Sequence, residues 1–363
     1  MTLLEKISAL DTVTPAIDSL GMLPYNWWSE ATHGISHNRN TNKTQYESNF
    51  AFPITTAMSF NRTLWQKTGQ QIGVEGRAFM NNGDAWSTFW APVVNLAREP
   101  RWGRNIETPG EDPYLSGEYA TQFVLGFQNH PDDPEHLLAS ACCKHYVANS
   151  MDGTTQKNGI HHDRNHFDAT ITQQDLVDSY MVPFQACVEK GRVSSLMCSE
   201  WHRLIMKSFD YVVLLYVVLL FLFSLSDFLS PTPFATGYNA VNGVPSCAND
   251  WLLKDVARES WDFDGYITSD CDADYDVWGS HHYTKTPEEA VRDVLRAGTD
   301  VDCTSFVGDH AMSALNQSLI TVDDIDERLS YLWRVRMRLS HFDPPLYNEK
   351  IMCPSSPNKP KIG

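Results

Sequence analysis

The stretch DGYITSDCDADYDVWGSHHYTKTPEEAVRDVLRAGTDVD, residues 264–302, decides the fold class of this 363-residue chain. It opens on a short apolar run, GYITS, and ends on another, AGTDVD, and both have the length of buried strands. The stretch TPEEAVRDVLRAG between them is typical of a helix, with Thr286 as N-cap and Glu289 as its capping-box partner. Pro287 is the first predicted helical residue and Gly298 the stop. A strand, a helix and a strand in this order predict parallel strands.

The same alternation occurs upstream. Apolar runs followed by polar residues are TFWAPVVNLA (88–97), LLASACC (137–143) and VSSLMCS (193–199), and ITQQDLVDSYMVPF opens a helix at Thr172. Polar groups gathered at the carboxyl ends of parallel strands are where a (β/α)8 barrel carries its active site. The predicted fold is therefore α/β, a (β/α)8 TIM-type barrel over residues 1–345. The Pro- and Lys-rich end of the chain predicts an unstructured tail, 346–363.

One segment departs from this pattern. The run YVVLLYVVLLFLF, 211–223, lies in a block unlike the rest of the chain. A membrane span needs about 20 apolar residues, which is more than this run contains. A buried barrel strand would be shorter than the run. The run reaches residue 229 only by admitting two Ser and an Asp. We favour a third interpretation, in which residues 200–237 are an apolar insertion into an otherwise continuous domain.

Charge and composition exclude some classes of partner. The formal charge of −17 argues against nucleic acid and anionic membranes, because both would be repelled. A neutral small substrate fits better, and the eleven Trp residues suit the apolar faces of sugar rings. The eight Cys include no CxxC pair and no His at zinc-ligand spacing, so neither a metal nor another cofactor is expected.

The compartment is indicated by two features of the sequence. An even number of Cys and three glycosylation sequons, at Asn42, Asn61 and Asn316, are typical of a secreted protein. The N-terminus MTLLEKISAL has no basic segment followed by an apolar stretch, so no signal peptide is predicted in this chain. An extracellular location is the expectation. The oligomeric state is not indicated.

Several strand ends carry side chains suited to glycosidic bond cleavage, which needs a carboxylate at the anomeric carbon and groups that bind the sugar hydroxyls. Asp270 follows GYITS and could be the nucleophile, or a carboxylate that caps the next helix. Lys144 and His145 follow LLASACC and could bind hydroxyls or lie at the surface. Guanidinium groups for the same task are offered by Arg98, Arg101 and Arg104. The neighbouring Asp272, Asp274 and Asp276 could be a solvated or calcium-like cluster.

Five motifs in order resemble a known family. YNWWSEATHG, PVVNLAREPRWGRNIETPGEDPYL, ACCKHYVAN, SLMCS with YNAVNGVPSCAN, and GYITSDCDA resemble the N-terminal barrel domain of glycoside hydrolase family 3. The resemblance covers residues 1–199 and 238–345. It implies an enzyme that cleaves glycosides with retention through a covalent intermediate on Asp270. It also implies that Glu30, Arg104, Lys144 and His145 bind the sugar and that Tyr238 orients the nucleophile.

Two details resemble the β-xylosidase branch of the family. Glu30 stands where many β-glucosidases have Asp, and Cys271 follows the nucleophile where they have Trp. Xylose lacks the hydroxymethyl group of glucose, so a longer carboxylate and Trp27 or Trp28 can fill that space. The implied function is that of a retaining, exo-acting β-xylosidase hydrolysing terminal xylose from xylo-oligosaccharides, with α-L-arabinofuranosidase activity or a β-glucosidase as alternatives.

Other expectations follow from the same resemblance. The family takes its general acid/base from a second α/β sandwich domain, which is not expected within this chain. A His and Asp dyad from HHDRNH, 161–166, is disfavoured, and His161 and His162 are interpreted as surface or hydroxyl-binding residues. The cysteines implied to pair are Cys198 with Cys247 and Cys271 with Cys303. The rival functions are a sugar-binding barrel without turnover and a membrane-tethered protein.

Overall fold

The computed structural model describes residues 1–36, 47–130, 133–151, 154–157, 160–163, 168–199 and 240–343. Its helices are α1 (Leu3–Ser8), α2 (Pro53–Ala57), α3 (Arg62–Asn81), α4 (Pro113–Gln128), α5 (Gln173–Asp175), α6 (Val182–Glu189), α7 (Trp251–Ser260), α8 (Ala273–Gly279), α9 (Pro287–Ala297), α10 (Phe306–Asn316) and α11 (Val322–Arg338). The helix α7 is π-helical, and α5 continues as a π-helical turn over Leu176–Tyr180.

The strands are short. They are β1 (Val13–Thr14), β2 (Tyr25–Asn26), β3 (Asn129–His130), β4 (Asp133–Leu137), β5 (Cys142–Tyr146), β6 (Thr154–Lys157), β7 (Ile160–Asp163), β8 (Asp168–Ala169), β9 (Ser195–Cys198), β10 (Ala240–Val241), β11 (Val244–Pro245) and β12 (Tyr266–Ser269).

A parallel sheet lies at the centre of the domain. Its strands β12, β9 and β5 are neighbours in that order. Single parallel bridges extend it on both sides, from Lys144 to Val93 and from Thr268 to Val301. The prediction of an α/β domain with parallel strands is therefore confirmed.

The predicted closed barrel of eight strands is not formed among the described residues. The run 88–97 makes only isolated bridges at Thr88 and Val93. One reason is Pro92, which has no N–H to donate to a ladder. Near the N-terminus, β1 and β2 pair antiparallel. The sheet around the site is thus a set of short strands and single bridges.

Alternation along the strands separates two apolar cores. Cys142, Met197 and Tyr266 are buried in one cluster, and Leu196 and Ile267 in the other, so adjacent residues of a strand face opposite sides of the sheet. The helix α9 begins as predicted, with the Thr286–Glu289 capping box, Pro287 in the first turn and Gly298 at its end. Thr172 caps α5 as predicted.

Three disulfides cross-link the chain, and each lies within one of the two cores. The predicted pairs Cys198–Cys247 and Cys271–Cys303 are present. A third, Cys143–Cys187, connects β5 to α6 and was not predicted. Among the cysteines that the structure describes, Cys142 is free and buried.

A buried ionic network fixes the edge of β12. Oδ2 of Asp300 accepts hydrogen bonds from Nη2 of Arg258 at 2.6 Å and from the N–H of Ile267 at 2.7 Å. Nη1 of Arg328 lies 3.2 Å from Oδ1 of the same carboxylate. All three charged side chains are less than one-tenth exposed. The network therefore joins α7 and α11 to the strand that precedes the predicted nucleophile.

A second group of buried carboxylates lies near the end of that strand, where Oγ of Ser269 donates to Oδ1 of Asp302 at 3.5 Å. Asp274 and Asp302 are at most 1% exposed, and Asp11 is partly buried beside them. Burial and the neighbouring charges of Asp302 and Asp11 raise the pKa of Asp274 well above its usual value. Burial and Asp302 likewise raise the pKa of Asp11 to about 8. The folded state therefore favours protonated carboxyls in this cluster.

Because of this cluster, we expect the free energy of unfolding to fall as the pH rises. A carboxyl with a raised pKa in the folded state costs stability once the unfolded chain ionises, above about pH 4. We expect Asp274→Asn, which cannot ionise, to raise the melting temperature at pH 8 by several degrees, at about 2–4 °C per kcal/mol, and to change it little at pH 4. Scanning fluorimetry at both pH values measures this. The matched control is the exposed Asp255→Asn. An equal shift at both pH values would contradict the explanation.

The predicted insertion, the tail and the apolar run 211–229 lie outside the described residues. No helix in the part of the chain that the structure describes is long and apolar enough to cross a membrane.

Candidate functional site

A cavity of about 750 Å³ opens at the carboxyl ends of the central strands. Five of the six predicted site residues line it: Glu30, Arg104, Lys144, His145 and Asp270. The sixth, Tyr238, lies outside the described residues. Side chains from four separate stretches of the sequence therefore meet in one place.

Asp270 is positioned by the backbone that follows β12. Its N–H donates to the carbonyl of Cys198 at 3.1 Å, and its Oδ1 accepts from the N–H of Cys271 at 2.9 Å. Its Oδ2 is buried and has no hydrogen-bond partner among the described residues. Nε2 of His145 lies 3.7 Å from Oδ2. One carboxylate oxygen is thus anchored, and the other is available to react.

The electrostatics of the cavity act on Asp270 in opposite directions. Burial raises its pKa, and the charges of Arg104 and Lys144 partly offset this, leaving the pKa at about 7. The two cations are therefore needed to keep the carboxylate ionised near neutral pH.

Lys144 is held by a carboxylate across the cavity. Its Nζ lies 2.8 and 2.9 Å from the two carboxylate oxygens of Glu30. Nε1 of Trp28 donates to Oε1 of Glu30 at 3.1 Å, and the Trp28 ring stacks on Trp90 at 6.0 Å between centroids. Both rings line the cavity. A charged, hydrogen-bonding edge thus lies beside two aromatic faces, which suits a sugar ring.

Asn95 fixes the position of His145 and was missed by the sequence analysis. Its Nδ2 donates to the carbonyl of His145 at 2.8 Å, and its Oδ1 accepts from the backbone N–H at 2.7 Å. The same Oδ1 lies 3.2 Å from Nδ1 of the ring. Burial, with Arg104 and Lys144, lowers the pKa of His145 well below its usual value, so the ring is neutral. A proton on Nδ1 then leaves Nε2 as an acceptor facing the cavity. Asn95 comes directly after the apolar run that precedes it, and the same pattern, a polar residue after an apolar run, pointed to Asp270 and Lys144.

Arg104 enters the cavity from a turn and is held by Glu107. Nε and Nη2 of Arg104 donate to the two oxygens of Glu107 at 2.8 and 2.7 Å. Both side chains line the cavity. The role of Glu107 could not be assigned from the sequence, in which it is one of several acidic residues after Arg104.

Other candidates lie elsewhere. Arg98 covers the ring of Tyr180, and Arg101 is an exposed partner of Glu99; neither lines the cavity. Trp27 is fully buried in the core, so of the two adjacent tryptophans only Trp28 lines the cavity.

Two further predictions concern the histidines of the HHDRNH stretch and the presence of a metal site. His161 and His162 lie on β7, and their side chains are outside the description. Within the described ranges, no group of three or more His, Cys, Asp or Glu side chains could hold a metal ion.

The chain matches the family model for the glycosyl hydrolase family 3 N terminal domain over residues 10–210 and 234–335. It is 41% identical over 347 residues to beta-D-xylosidase 1 of Arabidopsis thaliana, covering 94% of this chain and 39% of that protein. It is 39% identical over 348 residues to beta-xylosidase/alpha-L-arabinofuranosidase 1 of Medicago sativa subsp. varia, with 94% and 39% covered. The chain thus spans about 40% of the length of the curated relatives it matches.

Solved structures show the same similarity. A GH3 exo-beta-xylosidase in complex with a xylobiose aziridine activity-based probe aligns with a TM-score of 0.78 at 30% identity, covering 97% of this chain and 42% of that one. Beta-glucosidase 3B from Thermotoga neapolitana aligns with a TM-score of 0.68 at 23% identity, covering 97% and 45%. At that identity the second structure supports the fold alone.

Proposed function

Since the chain belongs to glycoside hydrolase family 3, through the N-terminal domain of that family, we propose that it is the nucleophile-bearing domain of a retaining, exo-acting β-xylosidase. The substrates are β-xylosides and xylo-oligosaccharides. Oδ2 of Asp270 attacks the anomeric carbon of the terminal xylose as the bond to the leaving oxygen breaks with its electron pair. Water then attacks the same carbon, releases xylose and restores the carboxylate.

The observation that carries this proposal is the state of Asp270. Its Oδ1 is anchored by the N–H of Cys271, and its Oδ2 has no hydrogen-bond partner among the described residues. The helix-cap alternative would require the carboxylate to bond the first turn of α8. Instead, the N-cap of α8 is Asp272, and Asp270 points into the cavity.

The choice of xylosides rests on residues around the nucleophile. Trp28 and Cys271 line the cavity together with Glu30, which is the longer carboxylate expected for this branch. Trp28 and Glu30 would then fill the space that a hydroxymethyl substituent needs. The names of the relatives above support the same choice, and an α-L-arabinofuranosidase activity is the secondary expectation.

Activated substrates test the proposal on the full 363-residue chain. Nitrophenyl β-xyloside has a leaving group that departs without protonation, so the first step, in which nitrophenol is released and the covalent intermediate forms, does not depend on the general acid. We assign the general acid/base to the second α/β domain that the resemblance implies. The expected result is release of nitrophenol from the xyloside at least about 10-fold faster than from nitrophenyl β-glucoside. Binding of xylose without any release would favour a sugar-binding module, and faster glucoside cleavage would favour a β-glucosidase.

Asn95 offers a further test of the same site. We expect Asn95→Leu, which removes three polar contacts with His145, to lower kcat/KM for nitrophenyl β-xyloside by about 10²-fold, because a small displacement of a sugar-binding group misaligns the reactants. Asn95→Asp is the companion variant. Its charge should raise the pKa of His145, so that the loss of kcat/KM depends on pH. A loss below twofold in Asn95→Leu would contradict the assigned role.

We also propose that residues 1–345 form one (β/α)8-type domain interrupted by residues 200–237. The parallel strands and bridges support the barrel type, and the family match leaves out residues 211–233. Sequencing transcripts would test the interruption. We infer that residues 200–237 are translated intron sequence left by mis-splicing, and messages that mostly retain codons 200–237 would argue against this.

An extracellular location completes the proposal. Three disulfides suit an oxidising compartment, and the sequon residues Asn61 and Asn316 are exposed, whereas Asn42 lies outside the described residues. Enzymatic deglycosylation of protein from its native source should reduce its mass. An unchanged mass together with reduced thiols would contradict this location.

A further inference from the structure

We propose that Glu107 is a positioning residue for the hydrolysis. Its carboxylate holds the guanidinium of Arg104 in one orientation against the sugar and away from Asp270. This inference rests on the function proposed above. Glu107 would contact the substrate only through Arg104, so its effect on the reaction is indirect.

The contact between the two side chains has the geometry that fixes a guanidinium. Two parallel N–H groups of Arg104 meet the two oxygens of Glu107, at 2.8 and 2.7 Å. A two-point fork of this kind sets the plane of the guanidinium as well as its distance. The side chains are only 15% and 23% exposed, so water competes weakly for the pair.

The backbone beneath the pair is also fixed. The N–H of Glu107 donates to the carbonyl of Arg104 at 2.9 Å, closing one helical turn. Nδ2 of Asn105 donates to the carbonyl of Glu99 at 2.8 Å, and Oγ1 of Thr108 donates to the carbonyl of Asn105 at 2.9 Å. The fork is therefore built on a rigid turn, and its loss should free mainly the Arg104 side chain.

The charges explain why Arg104 needs a partner. Arg104 is the cation with the largest effect on Asp270, whose Oδ2 has no hydrogen-bond partner among the described residues. Opposite charges a few ångströms apart attract more strongly at the effective dielectric of a protein surface than in bulk water. A guanidinium released from Glu107 would turn towards that oxygen and cover the nucleophile. Glu107 thus keeps a necessary positive charge near the site without letting it block the reaction.

A double-mutant cycle on the full 363-residue chain tests the proposal. Glu107→Gln keeps the shape of the side chain and removes its charge. We expect it to lower kcat/KM for nitrophenyl β-xyloside about 10-fold or more, and to lower it less than about twofold in an Arg104→Ala background. Glu107→Asp should recover part of the loss. The acid limb of the pH profile should move to lower pH in Glu107→Gln, because the released Arg104 stabilises ionised Asp270.

The chain contains a matched control. Glu99 forms the same fork with Arg101, at 2.7 and 2.9 Å, but outside the cavity and with Arg101 88% exposed. Glu99→Gln should leave kcat/KM unchanged. An equal loss for Glu107→Gln in both backgrounds would indicate a structural role and overturn the proposal, as would wild-type kinetics in a folded Glu107→Gln variant.

A binding assay separates this inference from the proposed function. Trp28 and Trp90 line the cavity, so xylose binding can be followed by tryptophan fluorescence. If the wild-type chain binds xylose but releases no nitrophenol, the proposed hydrolysis fails. The role of Glu107 can still be tested in that case, because Glu107→Gln should weaken xylose binding only where Arg104 is present. If the wild-type chain does neither, both proposals are overturned.

Discussion

Replacing Asp270 with asparagine is expected to lower the release of nitrophenol from nitrophenyl β-xyloside by at least about 10³-fold. The amide has nearly the same shape as the carboxylate, but it cannot form the covalent intermediate, and removing a nucleophile typically costs this much or more. Stopped-flow absorbance of the 363-residue chain should show loss of both the burst and the steady rate. Xylose binding, followed by tryptophan fluorescence, should persist, because the other residues lining the cavity are unchanged.

Asp272→Asn is the matched control for this substitution. Asp272 lies two residues away, outside the cavity, with a φ of 70°. Asparagine tolerates that left-handed conformation, so the control should fold and retain its rate. A rate in Asp270→Asn within about 10-fold of the wild type would remove Asp270 from the role of nucleophile. A collapse of both variants would point to the loop and not to the carboxylate.

The second large effect is expected on stability. Asp300→Ala removes the shared carboxylate of Arg258 and Arg328 and the hydrogen-bond acceptor of the Ile267 N–H. Breaking a buried ion pair by deleting one partner costs about 3–5 kcal/mol, because the remaining charge is buried without compensation. Since domains are stable by only about 5–15 kcal/mol, the variant should unfold at a much lower urea concentration.

A surface ion pair provides the comparison. Asp293 lies 2.6 Å from Arg292, with both side chains partly exposed. Exposed pairs contribute about 0–1 kcal/mol, so Asp293→Ala should change the urea midpoint little. Equal effects of the two substitutions would show that burial of the Asp300 network does not determine its contribution. Because the network precedes Asp270 on the same strand, lost stability should also bring lost activity at elevated temperature.

Much of this domain can be predicted from its sequence, because each predicted feature depends on residues that are only a few positions apart. The capping box of Thr286 and Glu289 lies within one turn, and the structure contains it. Asp270 and Lys144 come directly after apolar runs, Asp270 beyond the end of β12 and Lys144 within β5, and both side chains line the cavity. Motif order then supplied Glu30 and Arg104.

The missed features depend on contacts between distant parts of the chain. Asn95 lies 50 residues before His145, and no spacing rule connects an amide with a ring that far away. The Cys143–Cys187 disulfide spans 44 residues and could not be separated from other pairings by counting cysteines. Whether the sheet closes among the described residues could not be judged from composition, because Pro92 sits inside an apolar run that otherwise has the composition of a strand.

The position of Cys142 next to Cys143 has a consequence for oxidative folding. The two thiols sit on opposite faces of β5, in separate apolar clusters, and only Cys143 pairs with Cys187. An isomer oxidised at Cys142 instead would have to displace the strand by one residue, which exchanges the faces of every side chain that follows. Lys144 would then leave Glu30. A single wrong partner, one residue away, would thus yield a chain with the same number of disulfides and an unchanged mass, in which the lysine has left the cavity.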